Sequence, residues 1–269
     1  MRFFRYRFSR QRGLLIALIL LSILSVLGAA ALYAPPAEGT QQDIEVFRAQ
    51  FPLLARLLNM RVSPRAHEFL VSLLFGLLLP VVSISFGFLS VRRLQLMPLS
   101  TGEMTWFLLS PRSRAVIPMT HFAAGLLGLL LQYAIIALTA WLARFIWPLW
   151  SPDVTAVIRT CLGAALMSSL PLGAAVYFGC TTKTGKLSPW LHILTVLFLA
   201  IRMMANLRGP WDYLRYLTPF SLFDAWGVLA AGHKAVLLSF IPLMMGTLLA
   251  LIGALRFCSR EIDIGEMRE

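Results

Sequence analysis

The sequence predicts an all-α, polytopic membrane protein with six transmembrane helices. Five of six apolar runs contain at least 20 consecutive residues without Asp, Glu, Lys or Arg, and about 20 helical residues cross a bilayer core. Composition supports this prediction, because 58% of the residues are hydrophobic and 13% are charged, against roughly 25% charged in soluble domains. The predicted spans lie at residues 14–33, 69–91, 115–143, 160–182, 187–205 and 235–255. No connecting segment is large enough for a soluble domain, so residues 1–269 are predicted to form one membrane-spanning domain.

The segment before the first span carries five arginines and four aromatic residues within residues 1–13. It is predicted to form an amphipathic N-terminal helix in the membrane interface, or to act only as a positive charge that orients the first span. The first span is predicted to be retained, because its 20 apolar residues exceed the roughly 7 to 15 residues of a signal-peptide core.

The segment between the first two spans, residues 34–68, has Phe47, Phe51, Leu54 and Leu58 at helical spacing, with polar residues between them. This pattern predicts an amphipathic helix on the outer membrane surface, broken or restarted at Pro52.

The segment between spans two and three, residues 92–114, contains a second amphipathic stretch. Ser100 or Thr101 is a candidate N-cap, Glu103 falls in the first turn, and Ser110-Pro111 ends the pattern. Met104, Phe107 and Leu108 form its apolar side. The pattern predicts a short cytoplasmic helix on the inner membrane face.

The fifth apolar run is shorter than 20 residues, because Arg202 ends it. It extends to residue 205 if the Arg202 guanidinium reaches the lipid headgroups. The following segment, residues 202–234, is too aromatic for a solvated loop, and Pro210 and Pro219 interrupt it. It is predicted to form short helices that dip into the outer leaflet between spans five and six. Its aromatic candidates for an outer gate are Trp211, Tyr213, Phe220, Phe223 and Trp226.

Charge distribution predicts the orientation. Residues 1–13, 92–114, 181–188 and 256–269 hold 14 of the 24 lysines and arginines in less than a quarter of the chain. The positive-inside rule places these segments and both termini in the cytoplasm, which predicts a multi-pass protein of the cytoplasmic (inner) membrane. The net charge of +12 is explained by this topology and by contact with membrane lipid, so no nucleic-acid partner is expected.

Residues suited to catalysis or metal binding are scattered. The only phosphate-loop lookalike, residues 180–187, has Cys180 where the first glycine belongs and Leu187 where a magnesium-binding hydroxyl is required. The four histidines lie in different segments, and the six runs contain no carboxylate. No catalytic residue, cofactor-binding residue or metal ligand is therefore predicted, and an ATP-driven function would need a partner subunit.

The segment between spans two and three resembles that of the permease subunits of type-2 ABC transporters, a family of exporters with six spans and cytoplasmic termini. The matching residues are Gly102, Glu103, Thr105, Leu108, Leu109, Ser110, Pro111, Ser113 and Arg114. The ending at Phe257, Arg260, Glu261 and Ile262 is similar to the last motif of the same family.

The resemblance implies that two permease subunits, identical or homologous, associate, and that two copies of a separate ATP-binding subunit dock on their cytoplasmic faces. ATP and Mg²⁺ would bind to that partner, so this chain would not be an enzyme. The implied coupling residues are Thr101, Gly102, Glu103, Met104, Phe107, Leu108, Arg112 and Arg114. A pathway lined by apolar side chains suits an amphiphilic or apolar cargo. The alternatives are a non-transporting membrane partner or assembly protein and, less favoured, an intramembrane enzyme. An adjacent reading frame with GxxxxGK[ST] would distinguish the permease from both.

Overall fold

The computed structural model describes residues 9, 11–33, 46, 48–59, 65–76, 78–100, 113–182, 189–207 and 209–259. Every regular element among these residues is a helix, which confirms the all-α prediction for this part of the chain. The α-helices are α1 (Arg12–Leu32), α2 (Pro52–Leu57), α3 (Ala66–Leu70), α4 (Leu78–Val91), α5 (Met97–Ser100), α6 (Val116–Leu142), α7 (Val154–Thr181), α8 (Pro189–Ala205), α9 (Ala225–Leu229), α10 (His233–Leu238) and α11 (Phe240–Cys258). Wider π-helical turns follow α3 at Val71–Phe75 and α4 at Arg92–Leu96, and 3₁₀ turns occur at Ala143–Phe145, Gly209–Leu217 and Pro219–Leu222.

Several helices are long and apolar enough to cross a membrane. Four meet this criterion alone: Arg12–Leu32, Val116–Phe145, Val154–Thr181 and His233–Cys258. The second predicted span is instead a pair of helices, Ala66–Phe75 and Leu78–Leu96, bent by 49°. Helix α8 has 17 residues in the described part of the chain, fewer than the roughly 20 of a typical transmembrane helix. The described residues therefore contain four or five candidate spans, and the sixth stays a prediction.

The fourth candidate span begins earlier than the sequence prediction of residue 160. Asp153 is the N-cap of α7, and its carboxylate accepts hydrogen bonds from the backbone N–H groups of Thr155 at 2.9 Å and Ala156 at 3.3 Å. Helix α7 consequently starts at Val154 and includes Arg159. The predicted span began after Arg159, where the uncharged run starts, whereas the start of a helix is set by its cap.

The bend in the second candidate span lies at Gly76. The end of α2 packs against it, so a Cβ atom on Gly76 would lie 2.5 Å from the Leu58 carbonyl oxygen. Helix α2 begins at Pro52, as predicted, and its Leu57 carbonyl accepts a 2.8 Å hydrogen bond from the Asn206 side chain at the end of α8. The segment that contains α2 thus joins α8 to the bend.

Helix α7 lies at the centre of the bundle and makes its most extensive contact with α11. Gly173 and Gly246 face each other at this contact, and a Cβ atom on Gly246 would lie 2.4 Å from the Ser169 carbonyl oxygen. On the other side of α7, the buried Leu172 side chain packs against Gly125 of α6. Small residues at these positions allow the helix backbones to approach closely, as is usual in membranes.

We call the end of the bundle that holds Gln11, Ser90 and Cys180 the proximal end, and the end that holds Tyr33, Trp150 and Asp153 the distal end. At the distal end, the Tyr33 ring packs edge to face with Trp150 at 5.4 Å between centroids. The Trp150 indole N–H donates a 2.9 Å hydrogen bond to the Ala140 carbonyl. These contacts fix the loop between α6 and α7 against α1.

Candidate functional site

The predicted coupling residues Thr101, Gly102, Glu103, Met104, Phe107, Leu108 and Arg112 lie outside the residues that the structure describes. Arg114 is described and exposed, two residues before α6 begins at Val116. Helical structure runs without a break through α4, the π-helical turn and α5, over 14, 5 and 4 residues. The described part of this continuous helix reaches Ser100, immediately before the predicted coupling segment.

The proximal part of this helix is fixed to two other helices by buried glutamines. The Gln11 side-chain amide, beside α1, donates a hydrogen bond to the Ser90 hydroxyl of α4. The Gln95 amide, in the π-helical turn, donates to Cys180 Sγ of α7 at 3.1 Å. Both glutamines are fully buried, and their carbonyl oxygens accept no hydrogen bond from the residues that the structure describes. A displacement of residues 92–100 would therefore act directly on α1 and α7.

A buried polar network lies deeper in the bundle and joins four helices. Gln132 of α6 donates to the Ser22 hydroxyl of α1 at 3.3 Å, and accepts from the Ser83 hydroxyl of α4 at 3.3 Å. Ser83 also bonds the Tyr133 hydroxyl at 2.9 Å. The Tyr133 hydroxyl lies 3.5 Å from that of Ser168 on α7. All five side chains are buried.

This network is electrically neutral, since it consists of hydroxyl and amide groups. Buried polar groups in an apolar bundle are costly when unpaired, so the network favours arrangements in which α1, α4, α6 and α7 stay in register. The weakest connection is to α7, because the Ser168 hydroxyl donates its proton to the Ala164 carbonyl at 2.8 Å and the Ser83 hydroxyl donates to Gln132, so the single Tyr133 proton can serve Ser83 or Ser168 but not both. Sequence analysis missed this network, although Gln132 stands within an uncharged run of 29 residues.

The aromatic segment at residues 202–234 contains both buried and exposed side chains. Phe220 and Phe223 are 4% and 2% exposed, whereas Trp211 and Tyr213 are 43% and 62% exposed. Trp226 is half-buried. The Phe223 ring packs on Gly163 of α7, where an added Cβ atom would lie 2.8 Å from the ring. The predicted outer-gate residues are therefore not one cluster, and only the two phenylalanines enter the bundle fully.

Helix α8 holds this inserted pair. The Thr218 hydroxyl donates to the Phe198 carbonyl at 3.0 Å and accepts from the Phe220 N–H at 3.3 Å. The Arg202 guanidinium donates to the Phe223 carbonyl at 3.2 Å. The fifth span was predicted to extend to residue 205 if Arg202 reaches lipid headgroups; in the structure Arg202 is partly buried against the segment that carries Phe223. It lines a polar cavity of about 180 Å³ that Asp224 and Asn206 also line.

Titratable side chains do not form a metal centre in the described part of the chain, where no group of three His, Cys, Asp or Glu residues comes together. The three free cysteines Cys161, Cys180 and Cys258 lie apart on α7 and α11. The interactions between the described helices are therefore hydrogen bonds and helix packing.

No protein-family model, curated protein or solved structure matches the chain. The functional assignment therefore depends on the residues and on the geometry described above.

Proposed function

We propose that this chain is the permease subunit of a type-2 ABC exporter in the cytoplasmic membrane. In this proposal the proximal end and both termini face the cytoplasm. Two copies of a separate ATP-binding subunit dock there on a pair of permease subunits. An amphiphilic or apolar cargo then crosses between the two permease subunits.

The observation that carries the proposal is the continuous helix from Leu78 to Ser100. It leads from Ser83, in the buried network, past Ser90 and Gln95, to the segment that resembles the coupling segment of this family. A push on residues 101–110 would act along this helix and on the two helices bonded to it, α1 and α7. Packed helix interfaces respond to such a push by moving between discrete arrangements.

The distal end supplies the second part of the mechanism. Phe220 and Phe223 fill the space beside the central helix α7, on a segment that α8 holds through Thr218 and Arg202. In the proposed cycle this segment closes the outer end of the pathway. It withdraws when α8 moves away from α7.

The experiment uses the full chain, tagged and extracted from its native membrane in mild detergent. We expect a protein with a GxxxxGK[ST] loop to copurify and to hydrolyse ATP, and Phe107→Glu to abolish both. Met104, Phe107 and Leu108 would each contribute about 1.5 to 3 kcal/mol when buried in a groove of the partner, and a carboxylate at position 107 would oppose that burial. Phe51→Glu is the matched control, because Phe51 is 52% exposed at the distal end.

Two results would contradict the proposal. One is a wild-type chain that copurifies no such ATPase from membranes in which it is well expressed. The other is a Phe107→Glu variant that retains the ATPase with unchanged affinity, which would move the coupling role to residues 183–186.

A further inference from the structure

An apolar groove runs between α6 and α7 on the outside of the bundle. It has a volume of about 590 Å³, within the roughly 300 to 1,000 Å³ of ligand pockets. Small side chains, Ala134 and Ala137 on α6 and Ala165 on α7, line it together with Trp141 and Ile158. The lining is therefore suited to an apolar chain.

The groove extends along α6 from Leu130 to Trp141 and along α7 from Val154 to Ala165. Eleven helical steps correspond to roughly 16 Å, which is about half of a 30 Å hydrocarbon core. It opens at the distal end, where the α6–α7 loop lies, and ends near Tyr133 in the middle of the bundle. This length matches the acyl region of a single leaflet.

A cation stands at the distal mouth of the groove. The Arg144 guanidinium lies 4.7 Å from the centre of the Trp141 ring and 4.8 Å from that of Phe145. Trp141 is itself a wall of the groove. Arg144 is exposed and has no acidic partner among the described residues, so the two rings hold an unneutralised positive charge beside an apolar channel.

We propose that this groove is a binding site for one anionic phospholipid. An acyl chain lies against Ala134, Ala137 and Ala165, and the phosphate pairs with Arg144. Charge complementarity favours an anionic over a zwitterionic headgroup, since a guanidinium binds phosphate through parallel hydrogen bonds and no ammonium group of the lipid itself neutralises the phosphate of an anionic lipid. The site does not depend on the proposed transport function, because it uses none of the coupling or outer-gate residues.

The test is native mass spectrometry of the full chain released from detergent, with phosphatidylglycerol or phosphatidylcholine titrated as the probe. We expect one phosphatidylglycerol to be retained per chain. Arg144→Gln should weaken its binding about fivefold, the value of roughly 1 kcal/mol for one cation near anionic lipid, and weaken phosphatidylcholine binding less, because the choline group already neutralises that phosphate. Ala134→Phe, which fills the groove, should weaken binding of both lipids at least tenfold.

Two control variants keep the test specific. Arg56→Gln removes an exposed arginine on α2, and Ala17→Phe adds a ring to an exposed position on α1; neither should alter the bound lipid. Thermal unfolding of each sample shows whether Ala134→Phe is folded. Arg144→Gln changes an exposed position, so it tests the site independently of Ala134→Phe.

Three results would overturn the proposal. The first is wild-type protein that retains no lipid. The second is a result in which wild type and Arg144→Gln both bind phosphatidylglycerol and phosphatidylcholine with the same affinity. The third is a dimer that Ala134→Phe converts to monomer, because the groove would then hold a second copy of the chain.

Discussion

A Cβ atom on Gly173 would lie 2.0 Å from the carbonyl oxygen of Gly246, so the backbones of α7 and α11 touch with no side chain between them. The nearest atoms are backbone atoms, which cannot move aside as a side chain could. The contact lies between the most buried candidate span and the last one, and it therefore sets the position of α11 in the bundle.

We expect Gly173→Ala to destabilise the folded protein by about 2 kcal/mol or more, because the added methyl group forces the two helices apart. The measurement is the free energy of unfolding in mixed micelles. Gly28→Ala is the matched control, since no atom lies within 4 Å of its Cβ position. It should be neutral or slightly stabilising, as alanine is the better helix former. Equal losses in the two variants would show that the close contact is not the cause.

Tyr133→Phe and Ser83→Ala should each weaken the buried network, and their effects should not be additive. A double-mutant cycle is expected to give a coupling energy of about 0.6 kcal/mol and at most about 1.7 kcal/mol, the range for hydrogen bonds between membrane helices. Tyr213→Phe is the control, because Tyr213 is 62% exposed. A coupling energy of zero would mean that the 2.9 Å contact does not contribute to stability.

Phe220→Asp should impair export or make the closed state leaky, while the ATP-binding subunit still copurifies. The reason is that a carboxylate would replace a ring that is 4% exposed, and burial of an unpaired charge is costly. Efflux from proteoliposomes measures the effect. Tyr216→Asp, at a position 85% exposed, is the control and should transport normally. Normal, tight transport by well-expressed Phe220→Asp would remove the gate from the proposal.

The predicted orientation is tested by labelling with a membrane-impermeant thiol reagent. Cysteines at Thr40 and Ser151 should react in intact cells, whereas native Cys258, exposed at the proximal end, should react only after permeabilisation. Buried Cys161 and Cys180 should remain unlabelled in the folded protein. Labelling of Cys258 from outside, with position 40 protected, would reverse the orientation.

The sequence was sufficient to predict helices in the apolar runs. In lipid, the backbone N–H and C=O groups of such a run can bond only to each other, and a helix pairs them within the run. It did not predict the bend beside Gly76, where the Leu58 carbonyl of another segment packs close to the helix backbone. Helix α7 also begins before the predicted span, because the Asp153 cap lies outside the uncharged run that Arg159 bounds. The composition of a run contains neither tertiary contacts nor caps.

The candidate site was predictable only in part. Phe220, Phe223, Trp211 and Tyr213 are all aromatic, so the sequence could not separate the pair that enters the bundle from the pair that stays exposed. Gln132 was visible as a polar residue in an apolar run, but its partners Ser22 and Ser83 lie on other helices. The predicted coupling helix at residues 101–110 stays a prediction, since it lies outside the described part of the chain.

The neutrality of the network around Gln132 and Tyr133 has an electrical consequence. Transfer of one elementary charge across a membrane potential changes the free energy by about 2.3 kcal/mol per 100 mV, but side-chain hydroxyls and amides carry no such charge. When α1, α4, α6 and α7 exchange these hydrogen bonds for others, no gating charge moves through the field. The membrane potential therefore exerts no net force on these five side chains, and any voltage dependence of such a rearrangement would have to come from charged residues elsewhere on the helices, such as Arg159 of α7.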